Sequence, residues 1–400
     1  MPTPAPLIAA WARSAVVPRG GAFKALQPHD LAAPVLKALL AQAGVDAAAV
    51  DAVVLGNALG AGGNPARMLA LHASLPLQCA AYTVDTQCCA GLDAVAMGAA
   101  LIASGQAHVV VAGGVEAWST SPIRMHRPLQ ADDSPVAYER PAFAPTPEQD
   151  PDMLLSAARY AAAHGYTRVE QEAYALHSHE KAVAHQHHMT AEIVPVAGVT
   201  HDAYPRVIDA ARAQRMPVVA RSDQWAVEDA DTQTDADSYG LTALTISAQA
   251  DGAALVLLVS HAAAARFNLR PTATWVASAS VGGAPEWPML CAELAARQAL
   301  VRADIADVGR LKHVELHDAF AVQGLSFAKG LGLKPAQINP QGGGLARGHP
   351  IGASGAIALV RLLADLSRGP ESSDYGLVAV AGAGGLGSAA VVQMQPSSQD

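Results

Sequence analysis

The chain has 400 residues, 51% of them hydrophobic and 15% charged, with a formal net charge of −9. This predicts a globular protein with a sizeable core and excludes a disordered chain. The negative charge argues against nucleic acid or an anionic membrane as the main partner, though not against a local basic pocket.

The opening MPTPAPLIAAWARSAVVPRG lacks the basic start of a signal peptide. Residues 31–57, LAAPVLKALLAQAGVDAAAVDAVVLGN, read as a helix, a Gly-Val-Asp break, a short helix and a buried strand. AAYTV at 80–84 is a strand candidate, and CAGLDAVAMGAALIA at 89–103 is a helix rich in small residues. HVVVAGGVE at 108–116 is a buried strand. Composition shifts between 119 and 247, where Pro, Asp, His and Gln rise. There PLQADDSPVAYERPAFAPTPEQDPD reads as loop, and TRVEQEAYALHSHEKAVAHQHH as a helix. This segment resembles an inserted lid or binding element. Residues 290–318, LCAELAARQALVRADIADVGRLKHVELHD, repeat the order of elements seen at 31–57. GHPIGASGAIALVRLLADL at 348–366 echoes the helix after Cys89, and GLVAVAGAGGLG at 376–387 echoes the Gly-ended strand. Two similar α/β halves with parallel sheets covered on both faces are therefore expected, with reactive turns converging between them. No apolar run approaches the roughly 20 residues of a membrane helix. The closing SSQD is not a peroxisomal address, so a soluble cytoplasmic protein is expected.

Four turns carry chemistry-bearing residues. Cys88 and Cys89 stand where a strand meets a helix, whose N-terminal N–H groups and dipole favour a thiolate. Either cysteine could instead be a small buried filler. Four cysteines make no disulfide framework, and no C-x-x-C spacing marks zinc. GGGLARGHPIGASG at 342–355 places His349 in a Gly-rich turn where backbone can approach a ligand. VELHDAF at 314–320 ends a strand on His317 and Asp318, and AGAGGLG at 381–387 is a Gly-rich turn with no phosphate-loop lysine. Cys, two His and Gly-rich backbone from equivalent turns suit acyl transfer through a thioester. In the loop segment, His177, His179, His185, His187 and His188 lack a full metal-ligand pattern and read as a solvated or interface helix. Trp118 and Met125 are candidates for a substrate tunnel or for packing.

The segments AGVDAAAVDAVVLGNALGAGGNPARMLAL, VDTQCCAGLDAV, VVAGGVEAWSTSP, AEIVPV, ADGAALVLLVS, GGGLARGHPIGASGAIALV and AGAGGLG make the chain resemble the thiolase family over nearly its whole length. The resemblance implies an α/β thiolase fold: two βαβαβαββ halves in five α-β-α-β-α layers, with an inserted loop domain. It divides the chain into 1–118 plus 248–265, a loop domain at 119–247, and 266–400. It also implies an acyl-CoA C-acyltransferase that cleaves or forms 3-ketoacyl-CoA through an acyl-cysteine. CoA and acyl-CoA would be substrates, with no permanently bound cofactor and no metal. The assembly implied is a homodimer or homotetramer.

Carried over by motif position, the nucleophile is Cys88, with Cys89 as filler. His349 activates it and helps form an oxyanion hole; the N–H of Cys88 and the turn at Gly384 form a second one. Ser247 matches a serine that contacts the pantetheine of CoA. The chain has His317-Asp318-Ala319-Phe320 where the family usually has Asn-Glu-Ala-Phe, a form resembling the sterol-carrier-type and archaeal branches. The family's second cysteine, which moves the α-carbon proton, is replaced by Ala381, and Ala319 supplies no substitute. His317, then His349, is the nearest base by motif position, giving a Cys-His-His set that resembles decarboxylating ketosynthases. DQWAVEDADTQTDADSYGLTA is short and lacks the basic, Leu-rich piece that normally approaches the CoA nucleotide, so another pantetheine thioester is an alternative carrier. Alternative readings are a thiolase-like condensing enzyme or acyltransferase of a biosynthetic pathway, or a catalytically weak subunit.

Overall fold

The computed structural model describes residues 5–60, 63–130, 132–222, 236–369 and 374–395. Its first half runs β1 (Leu7–Arg13), α1 (Pro28–Ala43), β2 (Ala52–Gly56), α2 (Pro65–His72), β3 (Ala80–Val84), α3 (Ala90–Ala103) and β4 (Val109–Ala117). A long excursion carrying α4 (Met153–His164) and α5 (Arg168–Ala184) precedes β5 (Ala250–Val259). The second half repeats the order: β6 (Ala273–Gly282), α6 (Cys291–Arg302), β7 (Leu311–His317), α7 (Ala321–Leu331), α8 (Ser354–Leu366), β8 (Tyr375–Gly382) and β9 (Leu386–Met394).

Local chemistry explains the element ends. Pro28 begins α1, the Asp30 side chain accepts from the Gln27 N–H, and Gly44 in the left-handed region stops the helix. Thr167 and Glu170 form a capping box at the start of α5. Strands β4 and β5 are buried along their full length, in keeping with the apolar runs at 109–115 and 253–259.

The strand order is β7-β8-β9-β6-β1-β5-β4-β2-β3. Within the sheet, among the described residues, the two half-sheets pair where Leu7 and Ile8 of β1 meet Thr274 and Ala273 of β6. Pairing is parallel in β3-β2-β4 and in β7-β8, and antiparallel elsewhere. The expectation of parallel sheets thus holds for β3-β2-β4 and β7-β8 and is corrected for the remaining pairs. The turn at Ala383–Gly385 is too short for a crossover, so β9 must run back along β8. The counterpart of β3 in the second half shrinks to one bridge between Val314 and Ile338. Beyond it, Asn339 turns into the left-handed region (φ 52°), and its side-chain oxygen accepts from the Leu316 N–H at 2.8 Å. The side chain there replaces a strand's carbonyl.

Three apolar clusters separate five layers. Leu31, Leu36 and Leu39 of α1 pack on Val53, Val111 and Leu257 at one outer face. Leu92 and Val95 of α3 meet Leu359 and Leu363 of α8 between the half-sheets. Ala295 and Ala299 of α6 and Phe327 of α7 cover the other face. The stretch 128–152 is not all loop, as residues 124–126 pair with 136–138 and His126 stacks on Tyr138 at 4.2 Å.

A buried ionic cluster ties the excursion to both halves. Glu192 accepts from Arg13 of β1 at 2.6 Å and from Arg361 of α8. Asp202 holds the other side of Arg13 at 2.7 and 3.0 Å, and Asp365 holds Arg361 at 2.6 Å. Both guanidiniums are fully buried, so their charges are tolerable only while paired. Glu192→Ala is expected to cost about 3–5 kcal/mol in urea unfolding. A loss under about 1 kcal/mol would show the pairing to be dispensable.

Candidate active site

Cys88 sits in the tight turn Gln87–Cys89 between β3 and α3. Gln87 adopts a left-handed φ of 55°, held by Asp85, whose carboxylate accepts from the Gln87 N–H at 3.0 Å and its side-chain amide at 3.1 Å. Such strain persists only where surrounding bonds enforce it. The turn aims the half-buried Cys88 thiol at a loop from the other half, where Cys88 Sγ lies 3.1 Å from His349 Nε2.

The His349 loop is fixed on three sides. Its backbone N–H donates to Ala248 O at 2.6 Å. A Cβ built at Gly114 would lie 2.1 Å from Gly352 O, so glycine is required for the loop to rest on β4. Buried Glu116 accepts from Gly352 N at 2.9 Å, Ala58 N at 3.0 Å and Asn57 Nδ2 at 2.8 Å. Burial pushes that carboxyl up to about 7, against the pull of these N–H groups. Arg347, paired with Glu315 and donating to Gly342 O, braces the preceding Gly-rich turn.

Hydrogen bonding fixes the imidazole. Ser354 Oγ donates its one proton to Pro350 O at 3.0 Å, so it accepts from His349 Nδ1–H at 2.7 Å. The His349 Nε2 lone pair is thereby left for the Cys88 S–H. Burial lowers His349 to about 4 and raises the Cys88 thiol to about 12. The N–H groups of Ala383 and Cys88 itself pull the thiol down, but burial outweighs them. The expectation that the helix start favours a thiolate is corrected: the resting pair is thiol and neutral imidazole. Cys89 is fully buried, its thiol on Val380 O at 3.6 Å.

His317 lies behind His349, the rings stacked with centroids 4.4 Å apart. It is buried, lies off the cavity wall, and its Nε2 has no partner among the described residues. Burial, then the neighbouring His349 and Arg347, hold it well below the usual histidine range, which makes it a poor proton acceptor. Asp318 beside it accepts from Tyr174 Oη at 3.1 Å. Ser247 lines the cavity and donates to Gly344 O at 2.6 Å, leaving its lone pairs free. Gly384 (φ 79°) shapes the turn after β8 but lies outside the cavity wall, which Ala381, Gly382 and Ala383 form.

The cavity over Cys88 has a volume of about 640 Å³. Trp118, Ile123, Phe143, Met289, Phe320 and Ile351 supply its apolar wall, and Arg19, Arg124 and Arg140 are its cationic lining. Trp118 lies on the wall, whereas Met125 is exposed and off it. Of the histidine helix, His179 is buried against Tyr204 and His177 is exposed beside Glu180. The departure at DQWAVEDADTQTDADSYGLTA falls mostly on 223–235, outside the described residues. Ser354 and Glu116 were not singled out from sequence. Ser354 was open to notice, since it stands one helical turn beyond Pro350 in HPIGAS.

Family models for the thiolase N-terminal domain and the thiolase C-terminal domain match residues 7–262 and 269–394. An acetyl-CoA acetyltransferase of Rhizobium meliloti is 36% identical over 415 residues, covering 98% of this chain and all of that protein. Among solved structures, the Bacillus anthracis acetyl-CoA acetyltransferase superposes with a TM-score of 0.87 at 29% identity, covering 98% of each chain. The Acat5 thiolase from Ascaris suum, solved in complex with coenzyme A, gives 0.86 at 26% identity, covering 98% of this chain and 100% of that one. Both halves of the fold, the Gly-rich turns and these full-length matches lead to one conclusion: the chain belongs to the thiolase family.

Proposed function

We propose that the protein is an acyl-CoA C-acyltransferase of the thiolase type, cleaving or forming 3-ketoacyl-CoA with Cys88 as the acyl-accepting nucleophile. The observation that carries this reading is the 3.1 Å approach of Cys88 Sγ to His349 Nε2 under a mostly apolar cavity. In the cleavage direction, Cys88 passes its proton to His349 as the sulfur attacks the 3-keto carbon. The C2–C3 bond breaks, leaving an acyl-Cys88 thioester and the carbanion of acetyl-CoA. His349, now protonated, can return that proton to C2. The thiol of CoA then attacks the thioester and restores Cys88.

In this reading Cys88 N–H, with the turn that Gly384 completes, meets the oxyanion. Ser247 receives the pantetheine arm. His317, neutral and buried, backs the His349 ring by stacking rather than serving as the base. A dimer or dimer of dimers is proposed through the open edge of β3, where Tyr82 is 45% exposed.

A second reading is favoured by one residue. Ala381 stands on the cavity wall where the family's second cysteine would supply a base. A condensing enzyme that loses CO₂ from a malonyl thioester needs no such base.

Incubation with acetoacetyl-CoA should add an acetyl mass to Cys88, and Cys88→Ala should abolish the adduct. A wild-type protein that forms no adduct with any acyl-CoA contradicts both readings and leaves a catalytically weak subunit. Ala381→Cys is expected to raise ketoacyl-CoA cleavage by about 10²–10⁴-fold where a missing base limits the rate. Unchanged cleavage together with malonyl-thioester turnover would favour decarboxylative condensation. Because His349 must be neutral to take the thiol proton, acyl-enzyme formation should hold as pH falls through 6.5 and decline only toward about 4. A midpoint near the ordinary histidine value would contradict the buried-base reading.

A further inference from the structure

Away from the cavity, His29, Asp30 and His72 bring their ligand atoms within 4.8 Å of one another. His29 and Asp30 lie in the first turn of α1, and His72 is the last residue of α2. We propose that these three side chains form a surface site for a zinc-type divalent cation that clamps α1 to α2.

The geometry is close to a ligand set. Asp30 Oδ1 lies 3.7 Å from His29 Nε2 and 3.5 Å from His72 Nε2. Tetrahedral zinc at 2.0–2.1 Å from each donor requires neighbouring donors about 3.4 Å apart. The carboxylate is already oriented, since Asp30 Oδ2 accepts the Gln27 N–H at 3.1 Å and Oδ1 is left for the cation. The two imidazoles meet edge to face at 5.1 Å, so both can turn a nitrogen to one point. The C-terminal end of α2 adds its negative dipole end beside His72. Two imidazoles and one carboxylate suit zinc, cobalt or nickel rather than calcium or magnesium, which take oxygen ligands. The fourth position faces solvent, because the His72 side chain is 48% exposed.

This site would act as a staple on the outer helical layer, independent of the Cys88 chemistry. The full chain, stripped with EDTA, should bind one Co²⁺ with the visible absorption of a tetrahedral site, and Zn²⁺ should displace it. His72→Ala and His29→Ala should each weaken Co²⁺ binding by roughly 10–100-fold. The double change His185→Ala with His188→Ala, at the other histidine cluster, should leave it intact. Zinc at a hundredfold excess over its dissociation constant should raise the melting temperature of the native chain by roughly 3 °C, but not that of His72→Ala. An unaltered metal-free melting temperature will show that His72→Ala folds. Failure of the native chain to bind Co²⁺ or Zn²⁺ saturably overturns the proposal. So does binding that survives both single changes or disappears in the double one.

Discussion

The molecule depends on one close approach between two halves of a duplicated chain. The loop carrying His349 lies directly on β4, with Gly352 O against Gly114, and a side chain at either contact would hold the halves apart. Gly91 faces the same carbonyl from the first turn of α3. These contacts bring one turn from each half into a pair whose sulfur and nitrogen are within hydrogen-bonding reach. The Glu116 carboxylate adds a polar lock at the same seam, accepting N–H groups from both sides. Close packing of small residues lets a chain with only 4% aromatics build so large a core.

Electrostatics at the seam run against the simplest expectation for a reactive cysteine. A helix start and two N–H groups favour thiolate, yet burial dominates and keeps the sulfur protonated. The same burial keeps both imidazoles neutral. A charge pair is thus avoided at rest, and in the proposed reaction it would arise as the sulfur attacks a carbonyl. The Ser354 hydroxyl makes this workable by fixing which nitrogen of His349 carries the proton.

Much of the architecture was legible because periodicity and break residues record it directly. The helix, short helix and strand at 31–57 and 290–318 occur as read, since each follows from apolar spacing and Gly or Asp breaks. The direction of β9 was not legible from apolar content, because only the length of the turn after β8 decides it. The hairpin within 124–138 was hidden by Pro and Asp, and cross-strand stacking of His126 on Tyr138 overrides that local signal. At the site, residue types singled out Cys88 and His349, which the fold brings to 3.1 Å of each other, but depth did not show in sequence. His317 is stacked behind its neighbour rather than open to the cavity, and only the fold could place it there.

The duplication is imperfect at one margin, where Asn339 satisfies the Leu316 N–H and Pro340 follows without an N–H of its own. The first half ends in a complete strand, whereas the second ends in a capped stub. A sheet open at both margins could add copies head to tail without limit. Among the described residues the β3 margin offers a full strand edge, while the other offers a stub whose Leu316 N–H is already taken by the Asn339 side chain, so the two margins are unequal templates for strand addition.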